Sequence, residues 1–428
     1  LQFMTEWERG FYEKMIRDWR QELGVRNMIA CSNWKTADPR NLGVLERYAY
    51  TAGDVICRNV YYDVEYEPRP ERFYAVDVGD TYTDHSALKP PRFPSPFTVP
   101  HVNDYPDMYT ESNWCRPNRF RVEWPFLVAA YGPMMGMDGW TFFSLDTPLW
   151  ASQMNVWEVN CPSVLGQFPA AALAFRAGYV REAPEAVTER LSLQDLYGFG
   201  RAALFELTGR DALWVSRIGD LEGAAARAAM QADRLAFFVG KVNRQISPEA
   251  DGLETVELGD YIDRERQTVR SLTGEHLWDF GDGALALDTP RAQGVCGFLE
   301  AAGAVRLEDV AIESDNEYGA VLVVSLDGKP IAESGRVLIQ AGTEDWPYGF
   351  QTEPVDGKER ISDLGGYPPN VREVRARVTL TGAAGARATV LDGNGYRTDR
   401  RPATQRSDAG LVIELPGDAL YTLIERGS

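Results

Sequence analysis

The chain has 428 residues, with 44 Lys and Arg against 63 Asp and Glu, a formal net charge of −19 at pH 7 and 44% hydrophobic residues. That length buries a large core and exceeds a single domain of roughly 100–200 residues, so at least two domains are expected. The acidic balance, with no basic tract dense enough to neutralise a run of phosphates, argues against nucleic acid and anionic membrane as partners, and no apolar run reaches the roughly 18 residues of a bilayer-spanning helix.

Leu1-Gln2-Phe3 opens directly into a helical pattern, without the basic-then-apolar order or the small-residue cleavage site of a signal peptide. The missing initiator Met admits a processed start, a trimmed fragment or one piece of a longer polypeptide. Phe3, Trp7, Phe11, Met15, Trp19 and Leu23 recur every four positions among charges, which predicts an amphipathic helix stopped by Gly24. Residues 25–31 read as a short buried strand with Asn33-Trp34 at its end, 42–52 as a second helix and 55–62 as another apolar strand. Prolines then interrupt residues 63–107, leaving a long irregular connection with at most a short strand at 73–78. Structureless connections beyond about 12–15 residues are usually functional, so residues 82–105 are expected to wall a substrate cleft.

Strands at 108–111 and 140–145 flank a helix at 124–131, the alternation of an α/β region with buried parallel strands. Further helices are expected at 162–176 and at 221–242, the latter Ala-rich for close approach. Past Pro248 the texture changes to short β-like runs at 269–272, 284–287, 305–307, 320–326, 336–341, 374–381, 387–391 and 411–415, divided by Gly, Asp and Pro. The expected organisation is α/β followed by all-β: residues 1–250 with their terminal helices, then residues 251–428 as a β-sandwich with room for a small appended sheet.

Three polar and aromatic clusters fall at consecutive strand ends: Ser32-Asn33-Trp34, Asn59-Val60-Tyr61-Tyr62-Asp63 and Tyr109-Thr110-Glu111-Ser112-Asn113-Trp114. A (β/α) barrel gathers such ends around one mouth. Pyranose rings present apolar faces to Trp and Tyr, their hydroxyls want amide and carboxylate partners, and a carboxylate among aromatics is suited to attack or stabilise an oxocarbenium centre. Each residue also has a plainer reading. Glu111 is a salt-bridged strand terminus, Trp34 and Trp114 are core aromatics, Asn33 and Asn59 cap turns, and Phe143 is ordinary core.

Other chemistries have less support. His85, His101 and His276 have no metal-binding spacing, and Cys31, Cys57, Cys115, Cys161 and Cys296 match neither a paired zinc pattern nor a disulfide scaffold. Asp77, Asp80 and Asp84 offer hard oxygens suited to Ca²⁺ but read better as a solvated loop. There is no phosphate loop after Gly132 and no Gly-x-Ser-x-Gly elbow. No metal or cofactor is assigned.

The run Met108-Tyr109-Thr110-Glu111-Ser112-Asn113-Trp114 resembles the seventh strand of the retaining β-glycoside hydrolases built on (β/α)8 barrels, where the strand ends in the nucleophilic glutamate. Asn59-Val60-Tyr61-Tyr62 is similar to their sixth strand, whose tyrosine hydrogen-bonds that nucleophile, and Gly139-Trp140-Thr141-Phe142-Phe143 to their eighth. A looser likeness to agarase-like polysaccharide-degrading members runs through Asp288-Thr289-Pro290 and Ser325-Leu326-Asp327-Gly328-Lys329-Pro330-Ile331. The resemblance implies the C-terminal half of a (β/α)8 TIM barrel followed by a β-sandwich. It further implies Glu111 as nucleophile, Tyr61 as its partner, and Asn33, Trp34, Asn59, Trp114 and Phe143 as substrate contacts.

A full barrel takes about 250 residues, and only four barrel strands are evident. If 25–31 is the fifth strand, the first four lie upstream of Leu1, together with the acid/base that follows an asparagine at the fourth strand end; Glu6 and Glu8 belong to the opening helix. The expected function is therefore a retaining β-glycoside hydrolase acting on a polysaccharide or oligosaccharide, with a missing N-terminal barrel segment as partner. A leader on the longer product would favour secretion or the periplasm. The rival is a non-catalytic carbohydrate-binding or structural protein, or an inactive fragment.

Overall fold

The computed structural model describes residues 1–37, 42–62, 65–67, 75–89, 95–151, 154–200, 202, 232–247, 252–407 and 410–427. They form a mixed α/β structure of several sheets and helices. Helix α1 (Gln2–Glu22) is followed by α2 (Gly43–Tyr50), and Tyr12 joins the two through an edge-on contact with Tyr50 at 5.7 Å. The apolar stripe of α1 faces outward instead of into a core. Phe3 and Trp7 are 77% and 67% exposed, and Met4, Phe11 and Leu23 are exposed with them. Residues 25–31 are not a strand: Ile29 is tied to Asp54, through its N–H and its carbonyl.

Strands β1 (Ile56–Tyr62), β2 (Asp107–Trp114) and β3 (Gly139–Phe142) make a parallel sheet in that order, with β2 central. Among the described residues its two edges do not meet, so no closed barrel is formed. Helix α3 (Glu123–Met134) connects β2 to β3 and, after Glu123, is apolar on every side, as befits an element buried all round. Helix α4 (Phe168–Arg176) packs on it at Gly132, where a Cβ would stand 2.6 Å from the Phe175 ring.

The helix expected at 221–242 is corrected where it is described: Arg234–Phe238 is a short 3-10 helix that leads into strand β5 (Lys241–Ser247), and residues 221–231 lie outside the described residues. β5 pairs in parallel with β4 (Glu185–Ser192), and a buried Arg244–Glu189 ion pair at 2.8 Å ties the two.

His101–Val102 also pairs with β5 in parallel, and the strands from Gly252 onward are antiparallel. Nine strands form one sheet in the order Ile262–Asp263, Thr268–Arg270, His276–Asp279, Ala284–Asp288, Ala292–Gly297, Gly319–Ser325, Arg336–Gly342, Tyr421–Glu425, Arg387–Leu391. One face packs on α3 and α4 in the largest core cluster, through Leu285, Ala292, Leu322 and Val324. The other shares a second core with a five-stranded sheet: Val321, Val323 and Ile339 meet Ile312, Val378 and Ile413. Between Arg336–Gly342 and Ala376–Leu380 the chain leaves this stack. Its Lys358–Asp363 strand joins Thr81–Thr83 of the long connection in a small sheet, so the two parts of the chain interlock there.

Candidate functional site

Glu111 and Tyr61 lie towards the C-terminal ends of neighbouring parallel strands. In the ladder Asn59 faces Glu111 and Tyr61 faces Asn113, and the Tyr61 hydroxyl crosses to donate to Glu111 Oε2. Both residues are partly buried. The register shifts between Arg58 and Asn59 against β2, and again between Tyr109 and Ser112 against β3, which places an irregularity at Thr110 immediately before Glu111. Such bulges re-aim the side chains that follow them.

Thr110 gathers the two asparagines. Asn33 Nδ2 donates to its hydroxyl at 3.1 Å, and the hydroxyl donates to Asn59 Oδ1 at 2.9 Å. Trp34, next to Asn33, is 67% exposed, held by its N–H to Ser32 Oγ and by its carbonyl to the Tyr50 hydroxyl. Phe143 is half-buried and meets Trp157 edge-on at 6.1 Å; Asn113 Nδ2 binds the carbonyls of both. Trp157 also lies 6.5 Å from the Tyr61 ring. Asn33, Asn59, Tyr61, Glu111 and Phe143 are thus connected by contacts, with Trp34 at the margin.

Trp114 requires a correction. Past Thr110, side chains alternate along β2, so Glu111 and Asn113 share one face and Ser112 and Trp114 the other. Trp114 is fully buried, stacked between Tyr62 at 5.0 Å and Trp124 at 5.7 Å, with its indole N–H donating to Glu123 Oε1 at 2.8 Å. It has no surface to offer a sugar. The same alternation explains why Tyr61 rather than Tyr62 reaches Glu111.

Glu123 escaped notice in the sequence because its partners are scattered along the chain. Its carboxylate accepts from Trp114, from the Ala87 N–H and Ser86 hydroxyl at 2.7 Å each, and from the Tyr318 hydroxyl of the nine-stranded sheet region. Burial pushes its pKa up to about 7, against the pull of these four donors. A second buried cluster lies nearby. Arg116 pairs with Glu158 at 3.0 Å and with Asp345, whose other oxygen accepts the Ser163 N–H. Burial opposes ionisation of Asp345, yet Arg116 and Arg121 hold its carboxyl below the ordinary value.

In the long connection Asp80 accepts its own loop's Asp77 N–H, and Asp84 accepts the Arg119 N–H. Burial raises Asp84 to about 6 against that bond. Among the described residues no group of three or more His, Cys, Asp or Glu could hold a metal ion, and no helix is long and apolar enough to cross a membrane. No protein-family model matches the chain, and neither a curated protein nor a solved structure is significantly similar to it.

Proposed function

We propose that this chain carries the nucleophile half of a retaining β-glycoside hydrolase, on the C-terminal part of a (β/α)8 barrel followed by a β-sandwich, and that it acts on a polysaccharide or oligosaccharide. The observation that carries the reading is the Tyr61 hydroxyl bound to Glu111 in the C-terminal halves of neighbouring parallel strands, with amides and aromatics around the pair. In this chemistry Glu111 attacks the anomeric carbon as the glycosidic bond breaks, and an acid delivers its proton to the leaving oxygen. The resulting glycosyl ester is hydrolysed by water that the same residue, now a base, activates; the two carboxyl groups stand about 5–5.5 Å apart.

Among the described residues Tyr61 is the side chain hydrogen-bonded to Glu111, and the acid is assigned to a further βα segment. The outward stripe of Phe3, Trp7 and Phe11 supports that assignment, because an apolar stripe of this kind is normally covered by a further element.

Trapping tests the reading. A protein containing this chain and the completing segment is incubated with activated 2-deoxy-2-fluoro glycosides, which form the ester and release it slowly. The expected result is a mass gain of one fluorosugar on the peptide containing Glu111. A label on another residue, or turnover of natural substrate without any trapped ester, contradicts it.

A further inference from the structure

The outer face of the five-stranded sheet carries a trough. Its strands run in the order Val305–Arg306, Val310–Ser314, Ala376–Leu380, Gly410–Glu414, Thr404–Ser407. Alternate residues, Ile312, Val378, Leu411 and Ile413 among them, enter the second core, so the residues between them face away from it. The pairing register then sets Arg306, Ala311, Thr379, Val412 and Gln405 side by side in one row that crosses every strand. Small side chains occupy the middle of the row and long polar ones its two ends. A cavity of about 500 Å³ follows it, within the range of about 300–1,000 Å³ typical of small-ligand sites. Five strands about 4.8 Å apart make the row about 19 Å long.

Along one wall the charges cancel. Arg377 stands opposite Glu313 on one side and Glu414 on the other, and binds Glu414 at 2.6 Å and Glu313 at 3.5 Å. Arg306 is different. It is exposed at the end of the trough and makes no ion pair or side-chain hydrogen bond among the described residues, and neither do Thr379 and Gln405 in the same row. Among the described residues the lining thus offers one uncompensated positive charge, a line of hydroxyl and amide groups, and no aromatic ring. We propose that the trough binds an oligosaccharide segment bearing a single uronate, with the carboxylate on the Arg306 guanidinium and the sugar hydroxyls along Thr379, Ser407 and Gln405.

A carboxylate meets a guanidinium through two parallel hydrogen bonds, a match that a neutral sugar does not supply. A densely charged polyanion fits less well, because Glu313 and Glu414 line up beside the row and the chain carries a net charge of −19. A peptide strand has no ladder to extend there, since the three inner strands are paired on both sides where the trough crosses them. The nine-stranded sheet lies between this sheet and helices α3 and α4, so the ligand is held on the side of the stack away from those helices. The choice of a sugar rests on the reading of Glu111 as part of a carbohydrate enzyme; the place of its charge rests on the trough alone.

Isothermal titration of the full chain with glucuronosyl-xylotriose and with galacturonosyl-rhamnose, each also in a form whose carboxyl group has been reduced to the alcohol, tests the proposal without catalysis. At least one acid is expected to bind about tenfold or more tightly than its reduced form, the scale of one charge-assisted hydrogen-bonded pair. Arg306→Gln should bring that acid to the affinity of its reduced form. Ala311→Phe, which fills the floor beside a retained guanidinium, should weaken both. Both variants should keep the wild-type melting temperature, and Glu111→Gln should bind as the wild type does. Equal affinity for each acid and its reduced form, an acid preference that survives Arg306→Gln, or a wild type that binds none of the sugars overturns the trough. So does binding of a Glu-containing pentapeptide in place of the sugars. Failure of the Glu111 reading registers separately, as turnover that survives Glu111→Gln.

Discussion

Tyr61 reaches Glu111 diagonally: Asn59 is the residue opposite Glu111, and Tyr61, one step further along the same face of β1, returns its hydroxyl to Glu111 Oε2. The geometry depends on the irregularity at Thr110, which sets the face on which Glu111 emerges. The hydrogen bond engages Oε2 of the carboxylate; in the proposed reaction Oε1 is the oxygen that attacks.

Tyr61→Phe removes that bond and leaves the ring to pack against Trp157. A hydrogen bond to a charged group contributes about 1.5–3 kcal/mol, so kcat of the proposed hydrolase, assayed with its completing segment, should fall roughly tenfold to a hundredfold with little change in melting temperature. Unchanged kcat and KM in a stopped assay would show that Tyr61 only packs.

Glu123 predicts a pH dependence of stability. Its native value of about 7 lies above the ordinary 4.5, so the folded state binds the extra proton between those values. Stability is therefore greatest below about pH 4.5 as far as this group is concerned, is lost as pH rises to about 7 and levels off beyond. A displacement of that size corresponds to about 3 kcal/mol at most. Glu123→Gln should remove this slope and leave the protein at pH 8 at least as stable, because the amide oxygen accepts from Trp114 and Ala87 while the Ser86 and Tyr318 hydroxyls turn to accept from its N–H groups. Denaturant titrations at pH 5 and pH 8 measure it.

Asp345→Ala leaves Arg116 buried with half of its charge partners and the Ser163 N–H without its acceptor. Breaking a buried pair from one side costs about 3–5 kcal/mol. Because Asp345 belongs to the excursion and Arg116 follows β2, the loss should separate the two parts of the chain, and calorimetry should show two transitions where the wild type shows one.

The stripe on α1 predicts the opposite behaviour. Phe3→Ser, Trp7→Ser and Phe11→Ser together alter exposed positions and should shift stability by no more than about 0.5 kcal/mol each. Contiguous exposed apolar surface promotes association, so light scattering should show the wild-type chain self-associating at a concentration where the triple variant is monomeric. A fall of many degrees in melting temperature would place the stripe in a core.

The elements around the candidate site were legible because their signals are local. The apolar run of β1, the apolar body of α3 after Glu123 and the carboxylate at Glu111 each stand out within a few residues. The burial of Trp114 was not legible, since its face depends on the irregularity at Thr110 and its partner Glu123 is bonded to Tyr318, 195 residues away. The sequence analysis assigns nothing to β4 and most of β5: charges such as Glu189 and Arg244 do not mark a core locally, yet each is buried because it faces the other. Residues 25–31 have the composition of a buried strand, but a ladder needs a neighbouring strand, and none is beside them among the described residues. The return of the chain at Asp345 to the α/β part leaves no periodic trace at all.

The most direct test is Glu111→Gln in the protein that includes the completing segment. The amide preserves size and the Tyr61 contact but cannot form the glycosyl ester. Turnover should fall by several orders of magnitude while polysaccharide binding and melting temperature are retained. Glu111→Gly with azide should recover activity and release a glycosyl azide of inverted anomeric configuration, one displacement having replaced two. Near-normal turnover in Glu111→Gln would contradict the assignment of Glu111 as nucleophile.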